Sequence, residues 1–360
     1  MIKIAINGFG RIGRTFLRVL LCDPIALQKI NIVAINIGPA KKEYVAHMFK
    51  YDTIMGTYPG SVSLEKDRLV IDNHSILIIS EPDPAKANWS AHAIDWVVEC
   101  SGHFTHREGA AKHITAGARN VLISAPAKNE DITIIPGVND AQFDKTKHHI
   151  VSLGSCTTNA FISILKVLHD EFTIERGFMT TIHAYTNSQV LIDVEGEDLR
   201  RSRAAALNII PTSTGVSHLI SKIFPDLTDC IEAIALRVPV ATGSLIDFSF
   251  VSKKSVTIDL INQTFNRASR EDSGLTKGIF PPVRPEIIEG WQREGAGSKG
   301  HVGITFEPLV SSDFTGDPRS VIIDGLLTAT TGNNMGKVFG WYDNEWGYSC
   351  RLKDFLVAAK

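Results

Sequence analysis

The chain has 360 residues, of which 44% are hydrophobic, and its 37 basic and 39 acidic residues leave a formal net charge of -2. A chain of this length exceeds what a single hydrophobic core usually supports, so we expect two domains. The balanced charge gives no broad electrostatic reason to bind nucleic acid or an acidic membrane, so a phosphate-bearing ligand needs a local pocket.

The N-terminal residues, Met1 to Asn7, predict an apolar strand and lack the basic stretch, apolar region and cleavage site of a secretory signal. No apolar run is long enough to span a bilayer. The five cysteines have no paired spacing, which argues against a disulfide framework and against a zinc site. We therefore expect a cytoplasmic protein with no bound metal and with neither nucleic acid nor membrane as a partner.

A βαβ unit is predicted at the start of the chain. An apolar strand at Ile2 to Ile6 leads into the glycine motif Gly8 to Gly13, a helix-period pattern extends to Leu21, and a second strand follows at Ile30 to Asn36. Glycines in this arrangement let the backbone turn tightly and approach a pyrophosphate, whose charge meets the first amides of the helix. The alternative is a glycine turn without a ligand, but the flanking strand and helix favour dinucleotide binding.

Further strand-like runs continue this alternation, which is typical of a Rossmann-type, doubly wound parallel sheet. They are Leu77 to Ile79, Trp96 to Cys100, Asn120 to Ile123 and Ile150 to Leu153. We place the first domain at residues 1–154.

Cys156 lies between the last of these strands and an apolar-periodic helix, in the sequence GSCTTN. A thiol at a helix N-terminus has its thiolate stabilised by the macrodipole and by free amides. Small, hydroxyl-bearing neighbours leave room for a substrate, so we predict a nucleophilic cysteine instead of a buried structural one.

Beyond Cys156 the pattern predicts an α+β catalytic domain at residues 155–340, built on a mixed or antiparallel sheet. Its strand-like runs are Phe178 to His183, Ile231 to Val238, Leu245 to Val251, Leu309 to Val310 and Lys337 to Tyr342. Residues 341–360 form a third segment, in which a helix at Asn344 to Ala359 is expected to return to the first domain.

Eight motifs occur in one order along the whole chain. They are NGFGRIGR from Asn7, SCTTN from Ser155, HAYTN from His183, DLRRSRAAA from Asp198, NIIPTSTG from Asn208, RVP from Arg237, SSDF from Ser311 and WYDNEWGY from Trp341. Together they resemble the glyceraldehyde-3-phosphate dehydrogenase family.

The resemblance implies an NAD-dependent, phosphorylating oxidation of glyceraldehyde 3-phosphate, the reaction of glycolysis and gluconeogenesis. Cys156 would attack the aldehyde to form a thiohemiacetal, and His183 would accept its proton, which suits the near-neutral pKa of an imidazole. Inorganic phosphate would then release 1,3-bisphosphoglycerate from a thioester. The family also implies a homotetramer.

The resemblance further assigns binding residues. The cofactor would contact Gly8, Gly10, Arg11, Ile12, Gly13, Ser101, Ser124, Asn344 and Tyr348. The substrate phosphate would lie near Thr186 and Arg237, and the inorganic phosphate near Ser155, Thr157, Arg201, Thr214 and Gly215. Among the three neighbouring arginines we select Arg201 over Arg200 and Arg203.

Two departures from the family pattern concern the cofactor and one concerns the surface. Ile37 occupies the position where an acidic residue usually binds the adenine ribose, so use of NADP is possible. We hypothesise that Glu195, on a loop expected to approach the cofactor of a neighbouring subunit, supplies the missing negative charge. Pro281 to Val302 is a predicted insertion, expected to be a surface loop or a partner contact.

Two other functions remain open from the sequence. A related aldehyde dehydrogenase could act on another sugar phosphate, such as erythrose 4-phosphate, with water as the acceptor. A catalytically idle NAD-binding interaction protein could use the insertion as its working surface.

Overall fold

The computed structural model describes residues 1–271 and 300–359, without the side chain of residue 271. The predicted insertion at Pro281 to Val302 lies outside the described residues except for its last three positions. The chain divides into two compact units: Met1–Ser155 with the C-terminal residues from Ser349 onward, and the described residues 156–271 and 300–348.

The first unit contains a nine-stranded sheet. Its strands are β1 (Ile2–Asn7), β2 (Ile30–Asn36), β3 (Val62–Glu65), β4 (Arg68–Ile71), β5 (His74–Ile79), β6 (Trp96–Glu99), β7 (Asn120–Ile123), β8 (Ile132–Thr133) and β9 (Ile150–Ser152). They lie in the order β3-β4-β5-β2-β1-β6-β7-β9-β8. All neighbours are parallel except β3–β4 and β4–β5. The predicted Rossmann-type sheet is confirmed, and the strand order reverses at β1, between β2 and β6.

Helices of this unit are α1 (Arg11–Leu21), α2 (Pro24–Lys29), α3 (Glu43–Lys50) and α4 (Arg107–Thr115). α1 buries the apolar stripe that predicted it, with Phe16, Leu17 and Leu20 fully inaccessible. Asp23 begins α2, where its carboxylate accepts hydrogen bonds from the Ile25 and Ala26 amides.

The second unit contains an eight-stranded sheet. Its strands are β10 (Ile174–Ala184), β11 (Ile210–Thr212), β12 (Ile231–Val238), β13 (Ser244–Ser252), β14 (Val302–Thr305), β15 (Val321–Asp324), β16 (Ala329–Thr331) and β17 (Met335–Tyr342). The order is β11-β12-β10-β13-β17-β15-β14, and β16 pairs with β17. Only β10–β12 and β14–β15 are parallel among these pairs, so the predicted mixed sheet is confirmed.

One predicted strand of the second unit is wrong. Leu309 and Val310 lie outside any strand and precede a 3₁₀ turn at Ser311–Phe314. The Val310 amide donates to the Asp313 carboxylate at 2.7 Å. This hydrogen bond lies within the turn, so the amide does not pair with a neighbouring strand.

The helices of the second unit are α5 (Cys156–Phe172), α6 (Val216–Ile223) and α7 (Ile258–Glu271). α5 packs on the sheet: the rings of Phe161 and Phe248 meet edge to face at 4.9 Å, and Ile164 lies over Gly340, where a Cβ would come within 2.8 Å of it.

The last helix is α8 (Trp346–Ala358), and its residues from Ser349 onward belong to the first unit. Within that unit Phe355 contacts Trp96 edge to face at 5.4 Å, and Lys353 forms a buried ion pair with Asp23 at 2.8 Å. Among the residues described, no helix has the length and apolar character to cross a membrane.

Candidate active site

Cys156 is the first residue of α5, as predicted. Gly154, two positions earlier, has φ 61°, a left-handed conformation that favours glycine, so the chain can turn sharply just before the helix. The residue as a whole is partly exposed, although its thiol is buried enough to have a raised pKa. A cysteine at a helix N-terminus is a suitable place for a nucleophile.

His183 faces this thiol from β10. Its Nε2 atom lies 3.4 Å from Cys156 Sγ, and the histidine is only 4% exposed. His183 and Arg237 are partners in the β10–β12 register, which brings the guanidinium to the opposite side of the ring. The structure therefore joins Cys156, His183 and Arg237, which the sequence separates by up to 81 positions, in one group.

Two neighbours compete for the second nitrogen of His183. Arg237 Nη1 lies 2.5 Å from Nδ1, and the Ala184 carbonyl oxygen lies 2.6 Å from it. A guanidinium can only donate a hydrogen bond and a carbonyl can only accept one, so Nδ1 satisfies one of them at a time. Bonding to Arg237 places the ring proton on Nε2, whereas bonding to Ala184 leaves Nε2 free to accept the thiol proton.

Burial governs the protonation of both groups. It raises the pKa of the Cys156 thiol, an effect that Arg237 and hydrogen bonds at Thr157 partly oppose. Burial also lowers the pKa of His183 to about 3, and the Arg237 charge acts in the same direction. Both directions favour a neutral thiol beside a neutral imidazole, so the near-neutral pKa and the stabilised thiolate that the sequence led us to expect are not found here. The 3.4 Å separation allows the proton to pass from Sγ to Nε2, and these pKa directions require that it does so as the carbon–sulfur bond forms.

Tyr342 packs beside His183 and bonds to two buried threonines. Its hydroxyl lies 3.0 Å from Thr157 Oγ1 and 2.8 Å from Thr181 Oγ1, and its ring meets His183 edge to face at 6.0 Å. Burial raises the pKa of this phenol, so it stays a neutral donor. Tyr342 lies in the WYDNEWGY motif, but the sequence alone assigns it no role, because only the fold reveals its contacts.

Candidate anion-binding groups also lie on the second unit. The Nε atoms of Arg201 and Arg237 are buried and have no hydrogen-bond partner among the described residues, although Arg201 Nε lies 3.7 Å from the Asp198 carboxylate. The Arg201 charge lowers the pKa of Arg237, after the larger effect of burial, so the two cations influence each other. Arg203 instead pairs with Asp193 at 2.5 Å. These observations favour Arg201 over Arg203 as an anion ligand.

The remaining predicted anion ligands of this unit include Thr186, Thr214 and Gly215. Thr214 and Gly215 precede α6, and a Cβ placed on Gly215 would meet no atom within 4 Å. Open space beside a helix N-terminus suits a phosphate. Thr186 Oγ1 lies 3.0 Å from Ser188 Oγ in an exposed loop.

The glycine turn of the first unit has the geometry of a dinucleotide cradle. A Cβ on Gly8 would come within 2.5 Å of the Ser101 backbone, and one on Gly13 within 2.2 Å of the Gly8 carbonyl oxygen. Gly10 borders open space, and as the residue before α1 it contributes no side-chain cap. Close packing therefore requires two of the glycines, while the third leaves room for a ligand next to the N-terminus of α1.

The other predicted cofactor residues occupy the following places. Ile12 lies in α1, and Arg11 in the same helix pairs with Asp52 at 2.5 Å. Ser124 Oγ donates to the Glu99 carbonyl oxygen at 2.9 Å. Asn344 and Tyr348 are buried in the second unit, where Asn344 Oδ1 accepts from Ser244 Oγ at 3.3 Å.

Ile37 and Glu195 differ sharply in exposure. Ile37 follows β2 and is only 7% exposed, and an apolar side chain cannot accept hydrogen bonds from a ribose. Glu195 lies in an exposed loop of the second unit. The two residues belong to different units.

Comparisons with known proteins agree with this arrangement. Residues 2–107 match the family model of the glyceraldehyde 3-phosphate dehydrogenase NAD binding domain, and residues 155–344 match that of its C-terminal domain. The chain is 44% identical over 357 residues to glyceraldehyde-3-phosphate dehydrogenase of Streptomyces coelicolor, covering 99% of this chain and 98% of that protein.

Two further relatives extend the similarity over the same length. Glyceraldehyde-3-phosphate dehydrogenase 2 of Bacillus subtilis is 42% identical over 361 residues, covering 100% of this chain and 97% of the relative. Glyceraldehyde-3-phosphate dehydrogenase of Geobacillus stearothermophilus is 41% identical over 356 residues, covering 99% and 97%. The chain belongs to the glyceraldehyde-3-phosphate dehydrogenase family.

Proposed function

We propose that the chain oxidises D-glyceraldehyde 3-phosphate to 1,3-bisphosphoglycerate, with NAD as electron acceptor and inorganic phosphate as acyl acceptor. The observation that carries this proposal is the 3.4 Å approach of His183 Nε2 to Cys156 Sγ at the start of α5. A nucleophile in contact with its own base is the arrangement that covalent aldehyde oxidation requires.

In the first step Cys156 Sγ attacks the aldehyde carbon while its proton passes to His183 Nε2. The carbonyl oxygen becomes an oxyanion, which takes this proton back from His183 Nε2–H to form the hydroxyl of a thiohemiacetal. His183 suits this transfer because the Ala184 carbonyl can accept from Nδ1–H and thus present an unprotonated Nε2 to the thiol.

Bound NAD supplies the hydride acceptor, and Gly8, Gly10, Arg11, Ile12, Gly13, Ser101, Ser124, Asn344 and Tyr348 would hold it. The cradle around the glycine turn fits such a group, because Gly10 borders open space beside uncapped helix amides. In that oxidation His183 Nε2 would take the hydroxyl proton of the thiohemiacetal, and a thioester would remain on Cys156.

Inorganic phosphate then attacks the thioester carbon, the carbon–sulfur bond breaks, and the thiolate of Cys156 leaves. Arg201 with Thr214 and Gly215 would bind this phosphate, together with Ser155 and Thr157 on either side of Cys156. Arg237 and Thr186 would bind the phosphate of the substrate. The buried Nε atoms of Arg201 and Arg237, which make no hydrogen bond among the described residues, support these roles, since guanidinium groups bind phosphate through several N–H donors.

We also propose that the chain works as a cytoplasmic homotetramer. Large apolar side chains remain exposed on the described second unit, among them Leu199 at 89%, Leu191 at 86% and Phe178 at 73%. Exposed apolar surface of this kind marks interaction sites, and further copies of the chain would cover it. Sedimentation analysis at micromolar concentration tests this, and a monomer would contradict it.

The activity test follows NADH and NADPH formation by absorbance, with NAD or NADP and with or without inorganic phosphate. Substrates are glyceraldehyde 3-phosphate and erythrose 4-phosphate. We expect phosphate-dependent NADH formation with the triose. Cys156→Ser should reduce the rate by at least about 10³-fold, because it removes the nucleophile. The matched variant Cys230→Ser, also at a partly exposed cysteine, should retain full activity.

Other outcomes would contradict parts of the proposal. Phosphate-independent oxidation of erythrose 4-phosphate would indicate a different sugar-phosphate dehydrogenase that uses water. No activity with either aldehyde, despite NAD binding, would indicate an interaction protein. Preference for NADP would contradict the assigned cofactor.

A further inference from the structure

A buried carboxylate lies beneath the glycine turn, at the end of β6. Glu99 is 1% exposed. Its Oε2 atom accepts from Asn7 Nδ2 at 2.6 Å and lies 3.0 Å from His113 Nε2, while Oε1 accepts from the Ser101 amide at 2.7 Å and also from the Ser101 hydroxyl. Four donors therefore surround one buried charge.

Trp89 determines which His113 nitrogen faces Glu99 with a proton. The indole Nε1 lies 3.1 Å from His113 Nδ1, and an indole nitrogen can only donate. Nδ1 must therefore accept, which leaves the proton on Nε2 and directs it at the carboxylate. Because His113 is 0% exposed, no solvent competes for either nitrogen.

A second branch of hydrogen bonds leaves Glu99 through Asn7. The Asn7 Oδ1 atom accepts from Asn36 Nδ2 at 2.7 Å. The Asn36 Oδ1 atom in turn accepts from the Glu81 amide at 2.9 Å and from the Gly38 amide at 3.2 Å. These bonds cross the carboxyl ends of β2, β1 and β6, three adjacent parallel strands.

We name these residues the Glu99 network: Asn7, Asn36, Trp89, Glu99, Ser101 and His113. It lies where β1 separates the two halves of the sheet, and open α/β sheets bind ligands outside the carboxyl ends of strands at such a point. Asn7 directly precedes Gly8, and the Ser101 backbone lies against the same glycine, within 2.5 Å of where its Cβ would be. The network therefore holds both sides of the turn.

We propose that Glu99 is a positioning residue for the dinucleotide. Burying a carboxylate costs free energy unless hydrogen-bond donors surround it, so Glu99 should have a function that an apolar side chain could not perform. We infer that this function is to fix Asn7 and Ser101 by hydrogen bonds, so that the glycine turn has its binding geometry before the cofactor arrives. The inference rests on the proposed NAD site at this turn and on no other part of the proposed function.

The test measures equilibrium binding of NAD and of ADP-ribose to the full chain by calorimetry. Glu99→Gln should weaken both ligands by about 10-fold, because an amide cannot accept from all four donors. The dissociation constants of the two ligands should rise by the same factor, since ADP-ribose lacks the nicotinamide but retains the diphosphate, which is the part that the glycine turn binds. The kcat at saturating NAD should stay within about twofold of wild type, because a pre-organising group acts on binding.

Matched variants separate positioning from stability. Glu108→Gln removes the same charge from an exposed position in α4 and should leave both dissociation constants unchanged. His113→Gln retains a donor for Glu99 and an acceptor for Trp89, so it should bind NAD several-fold more tightly than His113→Leu. The His113 pair decides the question if Glu99→Gln does not fold.

Unchanged binding of NAD and ADP-ribose by Glu99→Gln, with only a lower melting temperature, would reduce the network to a structural role and overturn the inference. Equal binding by the two His113 variants would overturn it as well. Failure of the wild-type chain to bind NAD would overturn the proposed cofactor together with this inference. The wild-type measurement therefore distinguishes the two failures.

Discussion

Arg237 Nη1 lies 2.5 Å from His183 Nδ1, on the side of the ring opposite Cys156. In this ligand-free arrangement the cation occupies a position where it lowers the pKa of the histidine and also opposes the rise that burial causes in the pKa of Cys156. One guanidinium thus influences both partners of the proposed proton transfer. If the substrate phosphate draws Arg237 toward itself, the Ala184 carbonyl becomes the remaining partner of Nδ1.

We expect Arg237→Leu to make Cys156 less acidic. Burial raises the pKa of this thiol and Arg237 is the largest opposing influence, so removing the charge should raise the pKa further. The measurement is the rate of Cys156 alkylation by iodoacetamide across a pH series in the absence of ligands. The midpoint of the profile should lie at higher pH in the variant.

The control for this prediction is Arg176→Leu, which removes the same charge from an exposed position near the start of β10. Its alkylation profile should coincide with that of the wild type. A midpoint in Arg237→Leu at or below the wild-type value would show that Arg237 does not stabilise the thiolate.

Tyr342→Phe should lower kcat without a matching change in KM for the aldehyde. The variant leaves the buried hydroxyls of Thr157 and Thr181 without their shared partner, which costs about 1–3 kcal/mol of folding free energy. Because Thr157 follows Cys156 and the tyrosine ring packs on His183, we expect a fall in kcat of about 10-fold, which is about 1.4 kcal/mol. Steady-state kinetics and thermal unfolding check both effects.

Tyr44→Phe is the matched control, because Tyr44 is 57% exposed and loses the same hydroxyl. Neither kcat nor the melting temperature should change there. An unaltered kcat in Tyr342→Phe would limit Tyr342 to a structural role.

Glu195→Ala tests whether the exposed loop of a neighbouring subunit compensates for Ile37. If Glu195 repels a 2'-phosphate, its removal should raise the ratio of NADP to NAD efficiency by about 10-fold, chiefly through a lower KM for NADP. Glu197→Ala removes a like charge two positions away in the same exposed loop and should change the ratio little. Identical ratios in wild type and Glu195→Ala would sink the hypothesis.

Local patterns were sufficient to predict the elements that present the chemistry. The glycine motif specifies a tight turn, and the apolar repeat after it specifies a helix, so β1, the turn and α1 appear where predicted. The same holds for α5, which begins at Cys156. In each case the signal comes from residues that are neighbours in sequence and share one period.

Three strands at the two ends of the first sheet were not predicted: β3 and β4 at one end and β8 at the other. β3 has four partly exposed residues without a continuous apolar run, and β8 has only two residues. β4 (RLVI) has the same kind of short apolar run as the predicted β7 (NVLI), so its signal was present in the sequence. Lys66, between β3 and β4, has φ 55°, an unusual conformation for lysine, and neither glycine nor proline marks this turn in the sequence.

Contacts between distant residues also lay beyond the reach of the sequence. Thr157 and Tyr342 are 185 positions apart, and Glu99 and Asn7 are 92 apart, so neither pair follows from periodicity or spacing. The packing of α5 against β17 brings the first pair together, and the pairing of β1 with β6 brings the second pair together. The family resemblance supplied His183 and Arg237, but it supplied neither Tyr342 nor Glu99.

The buried pair of Lys353 and Asp23 allows a prediction about stability. The two side chains are each 1% exposed and their charged atoms are 2.8 Å apart, while Asp23 also caps α2. Lys353→Met would leave that carboxylate buried without its cation, which costs about 3–5 kcal/mol. We expect a clear fall in the urea midpoint at neutral pH. Lys166→Met, which breaks an exposed pair with Asp170, should lose no more than about 0.5 kcal/mol.

The pH dependence of this loss has a definite sign. Burial lowers the pKa of Lys353, but the carboxylates of Asp354 and Asp23 together raise it above its ordinary value. A group with a raised folded pKa contributes its full stabilisation below its unfolded pKa of about 10.4 and loses it as the pH rises through the folded pKa. The difference between wild type and Lys353→Met in urea should therefore be constant from about pH 6 to pH 9 and should shrink above pH 10. A difference that grows in alkali would mean that Lys353 is not held as a cation by Asp23.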